Sequence, residues 1–138
     1  IFRTSFTIWK KQPLLGYGLK SFRVKCWEIL SGNTKGLNIS CANHSHNYYL
    51  ELLGEAGIIG AGLIIIFFLI LLKDSFYYLK KYNQENDIEI NLLIPIIIAL
   101  FLEMWPLKTT GSFFTTWNAT FIWLTVALLL ANKKDKKL

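Results

Sequence analysis

Residues 56–72 read AGIIGAGLIIIFFLILL, without a single charged side chain. A helix of that length, at about 1.5 Å per residue, nearly crosses a hydrocarbon core of roughly 30 Å. Two more apolar stretches follow. One runs from about 90 to 107, interrupted by Asn91 near one end and Glu103 near the other, with Pro95 in its first turns. The other runs from about 112 to 131, where the polar members are mostly threonine, with Asn118. The pattern predicts an all-α membrane protein with three transmembrane helices, preceded by external amphipathic helices.

Composition points the same way. Charged residues make up 17% of the 138, against about a quarter in a soluble domain, and the deficit is concentrated in the long apolar runs. That excludes disorder and argues against a soluble globular domain. The chain opens on Ile1 and shows no signal peptide, and it reads as the C-terminal part of a longer membrane protein. Net charge is +6. The basic residues flank apolar spans or alternate with aromatics, and no nucleic-acid fold signature appears. Membrane topology and anionic lipid or phosphate ligands therefore explain the charge better than nucleic acid does.

Orientation follows from lysine asymmetry. Lys73, Lys80 and Lys81 lie between the first two spans, and Lys133, Lys134, Lys136 and Lys137 follow the third. Residues 40–55 hold no lysine or arginine, and the connection between spans two and three holds only Lys108. Three antiparallel spans put both basic flanks inside. Residues 1–55 then form an external helical region, 56–131 the spans, and 132–138 a basic cytoplasmic tail. Arg3, Lys10, Lys11, Lys20, Arg23, Lys25 and Lys35 fall outside on this scheme. Such an external cluster suits an anionic ligand or lipid headgroups.

Within the outer segment, Phe2, Phe6 and Trp9 recur at helical spacing over residues 2–12, with Arg3 and Lys10 on a different face. Pro13 should stop that helix. Residues 14–18 (LLGYG) read as a turn, with Gly16 and Gly18 free to adopt positive φ. A second helix is expected over Leu19–Leu30, with Leu19, Phe22, Cys26 and Ile29 on one stripe. Residues 31–41 read as a loop. Cys26 and Cys41 make neither a metal site nor a redox pair by spacing. They bridge if both face an oxidising compartment, and are otherwise two unpaired thiols. No metal or other cofactor is expected.

A further helix is expected to begin near residues 43–46, capped by Asn43 or Ser45, and to continue into the first span. At 100° per residue, His46, Leu50, Leu53, Gly57, Gly60 and Ile64 share one stripe. Gly57 and Gly60 are then helix-packing positions where a neighbouring helix approaches closely. His46 would occupy the first turn, at the water–lipid boundary. There the positive end of the helix dipole disfavours imidazolium, and free N–H groups suit a phosphate. A neutral imidazole is a general base or a hydrogen-bond donor. The bland alternative is an interfacial histidine above packing glycines.

His46-Asn47, nine residues, Gly57, two residues and Gly60 together resemble the signature of the O-antigen ligase and O-antigen polymerase family of bacterial membrane glycosyltransferases. A second block agrees: Arg3, Trp9, Pro13-Leu14-Leu15-Gly16-Tyr17-Gly18 and Phe22 are similar to the family's arginine, tryptophan and PLLGxGxxxF stretch. The likeness covers roughly residues 1–72. It implies a portion of a C-type glycosyltransferase fold in the bacterial plasma membrane. The activity implied is metal-independent transfer of a glycan from a polyprenyl-diphosphate carrier to lipid A core or to a growing polysaccharide repeat, on the outer face. By motif, Arg3 would hold the diphosphate and His46 would activate or orient the acceptor hydroxyl. Asn47 and, on the rim, Lys10, Lys20 and Arg23 would bind substrate, and Arg3 and His46 should converge on one cavity at the outer membrane edge. His44, which lacks the following asparagine, is the weaker candidate. Family members have roughly a dozen spans, so the remaining N-terminal part of the protein is an expected partner, and these residues alone are expected to be inactive.

The roles fit the chemistry. A guanidinium fork neutralises charge developing on a diphosphate leaving group. A positioned base assists a sugar hydroxyl by about 10²–10⁴-fold. The competing class is a transporter, channel or membrane scaffold, in which the glycines and Glu103 would line a path or pack helices. A transporter needs its polar residues near the bilayer midplane. Here they cluster outside and at the boundary.

Overall fold

The computed structural model describes residues 1–31, 41–82 and 88–131. Lys35 and the tail from residue 132 onward, with its four lysines, lie outside the described residues. Five α-helices follow in order: α1 (Phe2–Lys11), α2 (Phe22–Ser31), α3 (Tyr48–Tyr82), α4 (Ile88–Glu103) and α5 (Thr116–Ala131). No strand occurs among the described residues.

α1 ends where Pro13 requires. The Gln12 N–H turns back to the Trp9 carbonyl at 3.0 Å, and the chain leaves the helix. Its orientation is the reverse of a simple amphipathic reading. Thr4, Ser5 and Ile8 are buried, whereas Phe2 and Phe6 are 51% and 44% exposed. The Ser5 hydroxyl donates to the Ile1 carbonyl at 3.1 Å, so burying that side chain leaves no unmet donor. The expected Phe2–Phe6–Trp9 stripe faces outward. The Phe6 and Trp9 rings lie 5.2 Å apart there, with the Lys10 ammonium 4.7 Å from the Phe6 ring.

α2 starts three residues later than expected. Gly18 (φ 92°) and Lys20 (φ 59°) both take left-handed conformations, and these delay the helix and leave Leu19 exposed. The rest of the predicted stripe holds. Phe22 and Cys26 are buried with Ile8, and Ile29 packs against them. Cys26 and Cys41 form a disulfide with Cα atoms 5.7 Å apart, which decides between the two readings of these cysteines.

The main core lies among α3, α4 and α5. Leu52, Phe68 and Leu71 meet Leu93, Ile97 and Leu100, and Ile122, Val126 and Leu129 close the third side. α4 ends at Glu103, four residues before the expected boundary, because the run into Pro106 cannot stay helical. α5 begins at Thr116 rather than Ser112. The preceding Ser112 carbonyl accepts the Thr115 N–H at 3.3 Å and the Asn118 amide at 2.8 Å. Among the described residues one helical stretch, Tyr48–Tyr77, is long and apolar enough to cross a membrane. α4 and α5, at 16 residues each, come to about 24 Å, short of a core of roughly 30 Å.

Candidate functional site

α3 is broken at Gly57, whose φ of 68° and ψ of −175° belong to no helix. A break strands backbone donors and acceptors on both sides of it. The turn after α1 supplies their partners. Ile58 N–H donates to the Pro13 carbonyl at 2.8 Å and Ile59 N–H to the Leu14 carbonyl at 3.3 Å. In return Tyr17 N–H donates to the Gly54 carbonyl at 3.0 Å and Gly18 N–H to the Glu55 carbonyl at 2.9 Å. The two backbones touch, which explains both glycines. A Cβ on Gly16 would come within 2.5 Å of the Glu55 carbonyl, and one on Gly57 would overlap the Leu14 carbonyl group. The closest neighbour of Gly57 is thus this turn rather than a second helix. A Cβ on Gly60 would meet Ala56 of the same helix at 2.6 Å.

Polar side chains of the first turns of α3 fasten the rest. Glu55 Oε2 accepts the Lys20 N–H at 2.6 Å and also bonds the Phe22 backbone, so its carboxyl group sits at the N-terminus of α2; burial outweighs these bonds and pushes its pKa up to about 7. Glu51 Oε2 accepts the Phe113 N–H at 2.6 Å. Tyr48 donates its hydroxyl to Glu103 at 2.6 Å, and Lys108 pairs with the same carboxylate. The Glu51, Tyr48 and Lys108 contacts tie the α4–α5 connection to the N-terminal end of α3.

The cap is Asn47, not Asn43 or Ser45. Its Oδ1 accepts the Tyr49 and Leu50 N–H groups at 3.1 and 3.2 Å, and its Nδ2 donates to the Pro106 carbonyl at 2.8 Å. Asn47 is buried, and both ends of its amide hold backbone. Two N–H groups of the first turn, of the kind that suits a phosphate, are therefore occupied. His46 stands before the cap rather than in the first turn, off the stripe of Gly57. Its backbone is left-handed (φ 57°), uncommon for a residue with a Cβ. Its carbonyl accepts the Thr110 N–H at 3.0 Å, and its ring lies 4.2 Å from that of His44. Burial, chiefly, and the His46 charge hold the His44 pKa below 6.5, against a hydrogen bond to the Thr110 backbone.

Arg3 is exposed on α1. A cavity of about 360 Å³ is lined by Phe2, Asn47, Tyr49, Leu50, Pro106 and Leu107. The residue before Arg3 and the residue after His46 thus share one cavity. Arg3 and His46 are not themselves among its lining residues, nor are Lys10, Lys20 and Arg23. Lys10 lies over Phe6, Lys20 turns the chain beside Glu55, and Arg23 is exposed on α2.

Both partners in the backbone pairing, 13–18 and 54–59, fall within one recognisable segment. Residues 1–65 match the family model of the O-antigen ligases. Members of this family are membrane proteins of polysaccharide biosynthesis, and the apolar stretch of α3 fits that setting. Comparison with curated proteins and with solved structures found no match. The O-antigen ligase segment contains α1, α2 and α3 as far as Ile65. α4, α5 and the connection between them lie beyond it, yet that connection holds Asn47 and His46. The sequence reading passed over Glu51, Glu55 and Thr110. The signal for the first two was present: carboxylates one helical turn apart, entering an apolar helix, need fixed partners.

Proposed function

We propose that this chain takes part in transferring a glycan from a polyprenyl-diphosphate carrier to an acceptor, either lipid A core or a growing polysaccharide repeat, on the outer face of a bacterial plasma membrane. The observation that carries the reading is the O-antigen ligase match over 1–65, with its two blocks, 13–18 and 54–59, hydrogen-bonded to each other across the break at Gly57. In this reading Arg3 clamps the diphosphate through its planar fork. His46 takes the proton of the acceptor hydroxyl as that oxygen bonds to the anomeric carbon; the bond from that carbon to the phosphate oxygen breaks, and the carrier diphosphate departs with its electron pair. Lys10, Lys20 and Arg23 supply a positive rim, Asn47 shapes the floor, and no metal takes part.

The same reading places α3 from the break onward, α4 and α5 in the membrane as three spans, with residues 1–55 external and the tail cytoplasmic. Large apolar side chains such as Leu63, Leu69, Trp117 and Leu128 point outward, as lipid or further helices require. The Cys26–Cys41 disulfide suits an oxidising exterior. A transporter reading is less well supported, since Glu51, Glu55 and Glu103 each bind a backbone or side-chain partner at the outer end of the helices.

The test is glycan transfer in cells by the full-length protein. Arg3→Ala and His46→Ala should each abolish transfer with normal expression. Arg3→Lys should also be poor, because a point charge does not replace a bidentate fork. Near-normal transfer by His46→Ala would remove the base from the scheme.

A further inference from the structure

The segment 41–47 brings a second imidazole to His46. It is held at both ends. Cys41 is bonded to Cys26, and Asn47 caps α3 while its Nδ2 reaches the Pro106 carbonyl. Between these anchors Ser45 is fully buried and donates its hydroxyl to the Asn47 carbonyl at 2.9 Å. With Ser45 turned inward, His44 and His46 both stand half-buried. Their ring centroids lie 4.2 Å apart, with the planes tilted by 52°. Thr110 holds both residues. Its N–H donates to the His46 carbonyl at 3.0 Å, and its backbone also bonds the His44 ring. The ring beside His46 is thus fixed by a third group.

We propose that His44 is a positioning residue for His46: its ring, held by the Thr110 backbone, braces the His46 imidazole where it takes the acceptor proton. A half-exposed imidazole has two side-chain torsions to settle. A fixed ring against one side settles them during folding, so less ordering remains when substrate arrives. The brace must also stay neutral. Burial first, and then a charge on His46, disfavour a proton on His44, so no second charge opposes the proton that His46 takes. The inference rests on the glycan-transfer reading and adds to it a residue that acts through His46 rather than on substrate.

The experiment compares wild type, His44→Ala and His44→Phe in the purified full-length protein, reconstituted in vesicles, with initial rates measured against donor and against acceptor. Misplacing a catalytic group by about 1 Å costs on the order of 100-fold, so His44→Ala should lower kcat by about 10- to 100-fold. Both KM values should stay within about twofold, as expected for a group that binds neither substrate. His44→Phe returns a flat ring with no proton to give, and kcat should recover to within about threefold of wild type. An unchanged kcat in His44→Ala overturns the inference. So does a kcat in His44→Phe as low as in His44→Ala, which would make His44 a proton carrier, or a raised KM in place of the lowered kcat, which would put it on substrate. A matching loss of folded protein, read by size-exclusion chromatography in detergent, would make His44 a residue of the fold alone and overturns it too. Near-normal transfer by His46→Ala would instead overturn the underlying reading, so the two failures are distinct.

Discussion

Replacing Gly57 by alanine puts a methyl group where the Leu14 carbonyl lies. Two costs follow from the geometry. A φ of 68° with ψ of −175° is open essentially to glycine alone, and forcing another residue there costs on the order of 1–3 kcal/mol. The overlap is with backbone, which has no rotamer to change, so the 13–18 turn must withdraw. Withdrawal breaks the bonds from Ile58, Ile59, Tyr17 and Gly18, each worth about 0.5–1.5 kcal/mol. Together the loss is roughly 3–9 kcal/mol, against a total stability of about 5–15 kcal/mol for a typical domain. Thermal unfolding of the purified full-length protein, followed by circular dichroism in detergent, reads this directly. Gly62→Ala is the control. A Cβ there meets nothing within 4 Å, and alanine in a helix interior should be neutral or stabilising by about 0.5–1 kcal/mol. Gly57→Ala as stable as Gly62→Ala would refute the inserted-turn account.

Other outcomes follow from the contacts around the break. Asn47→Asp should keep the cap and lose the tie to Pro106, whereas Asn47→Ala loses both. Chemical unfolding should rank them wild type, then Asp, then Ala, with the cap alone worth about 0.5–2 kcal/mol. Alkylation of the full-length protein should leave Cys26 and Cys41 unmodified before reduction and modify both after it, as read by mass spectrometry. His44 has a folded-state pKa below 6.5, so below that pH the unfolded chain binds the extra proton first. The His44 contribution to stability should then fall as pH drops through 6.5 toward the folded pKa, opposite in sign to that of Glu55, whose pKa burial pushes up to about 7, and the difference in stability between wild type and His44→Gln should shift in that direction over the window.

Much of this was legible in the chain. Pro13 ends α1, Gly16 and Gly18 take positive φ, and Phe22, Cys26 and Ile29 pack together, because each depends on local backbone chemistry or on one helical period. The break in α3 was not legible in that way. Residues 48–82 keep a helical composition throughout, and the Gly57–Gly60 spacing is equally good for helix contact. A turn some forty residues away decides the matter, by offering carbonyls and N–H groups that a continuous helix would not need. The inverted face of α1 has the same origin: α1 packs against both α3 and α2, and Ile8 is buried with Phe22 and Cys26 of α2. The capping role of Asn47, a residue the motif reading gives to substrate, was not legible either. It depends on the Pro106 carbonyl, distant in sequence, which its Nδ2 reaches while its Oδ1 accepts the first N–H groups of α3.

The most direct test of the account separates donor binding from transfer in the purified full-length protein, reconstituted in vesicles with a polyprenyl-diphosphate-linked glycan. Arg3→Ala should lose donor binding and transfer together, while His46→Ala should bind donor as wild type does and transfer nothing. Wild-type donor binding by Arg3→Ala, or transfer by His46→Ala at the wild-type rate, would contradict the division of labour on which the account stands.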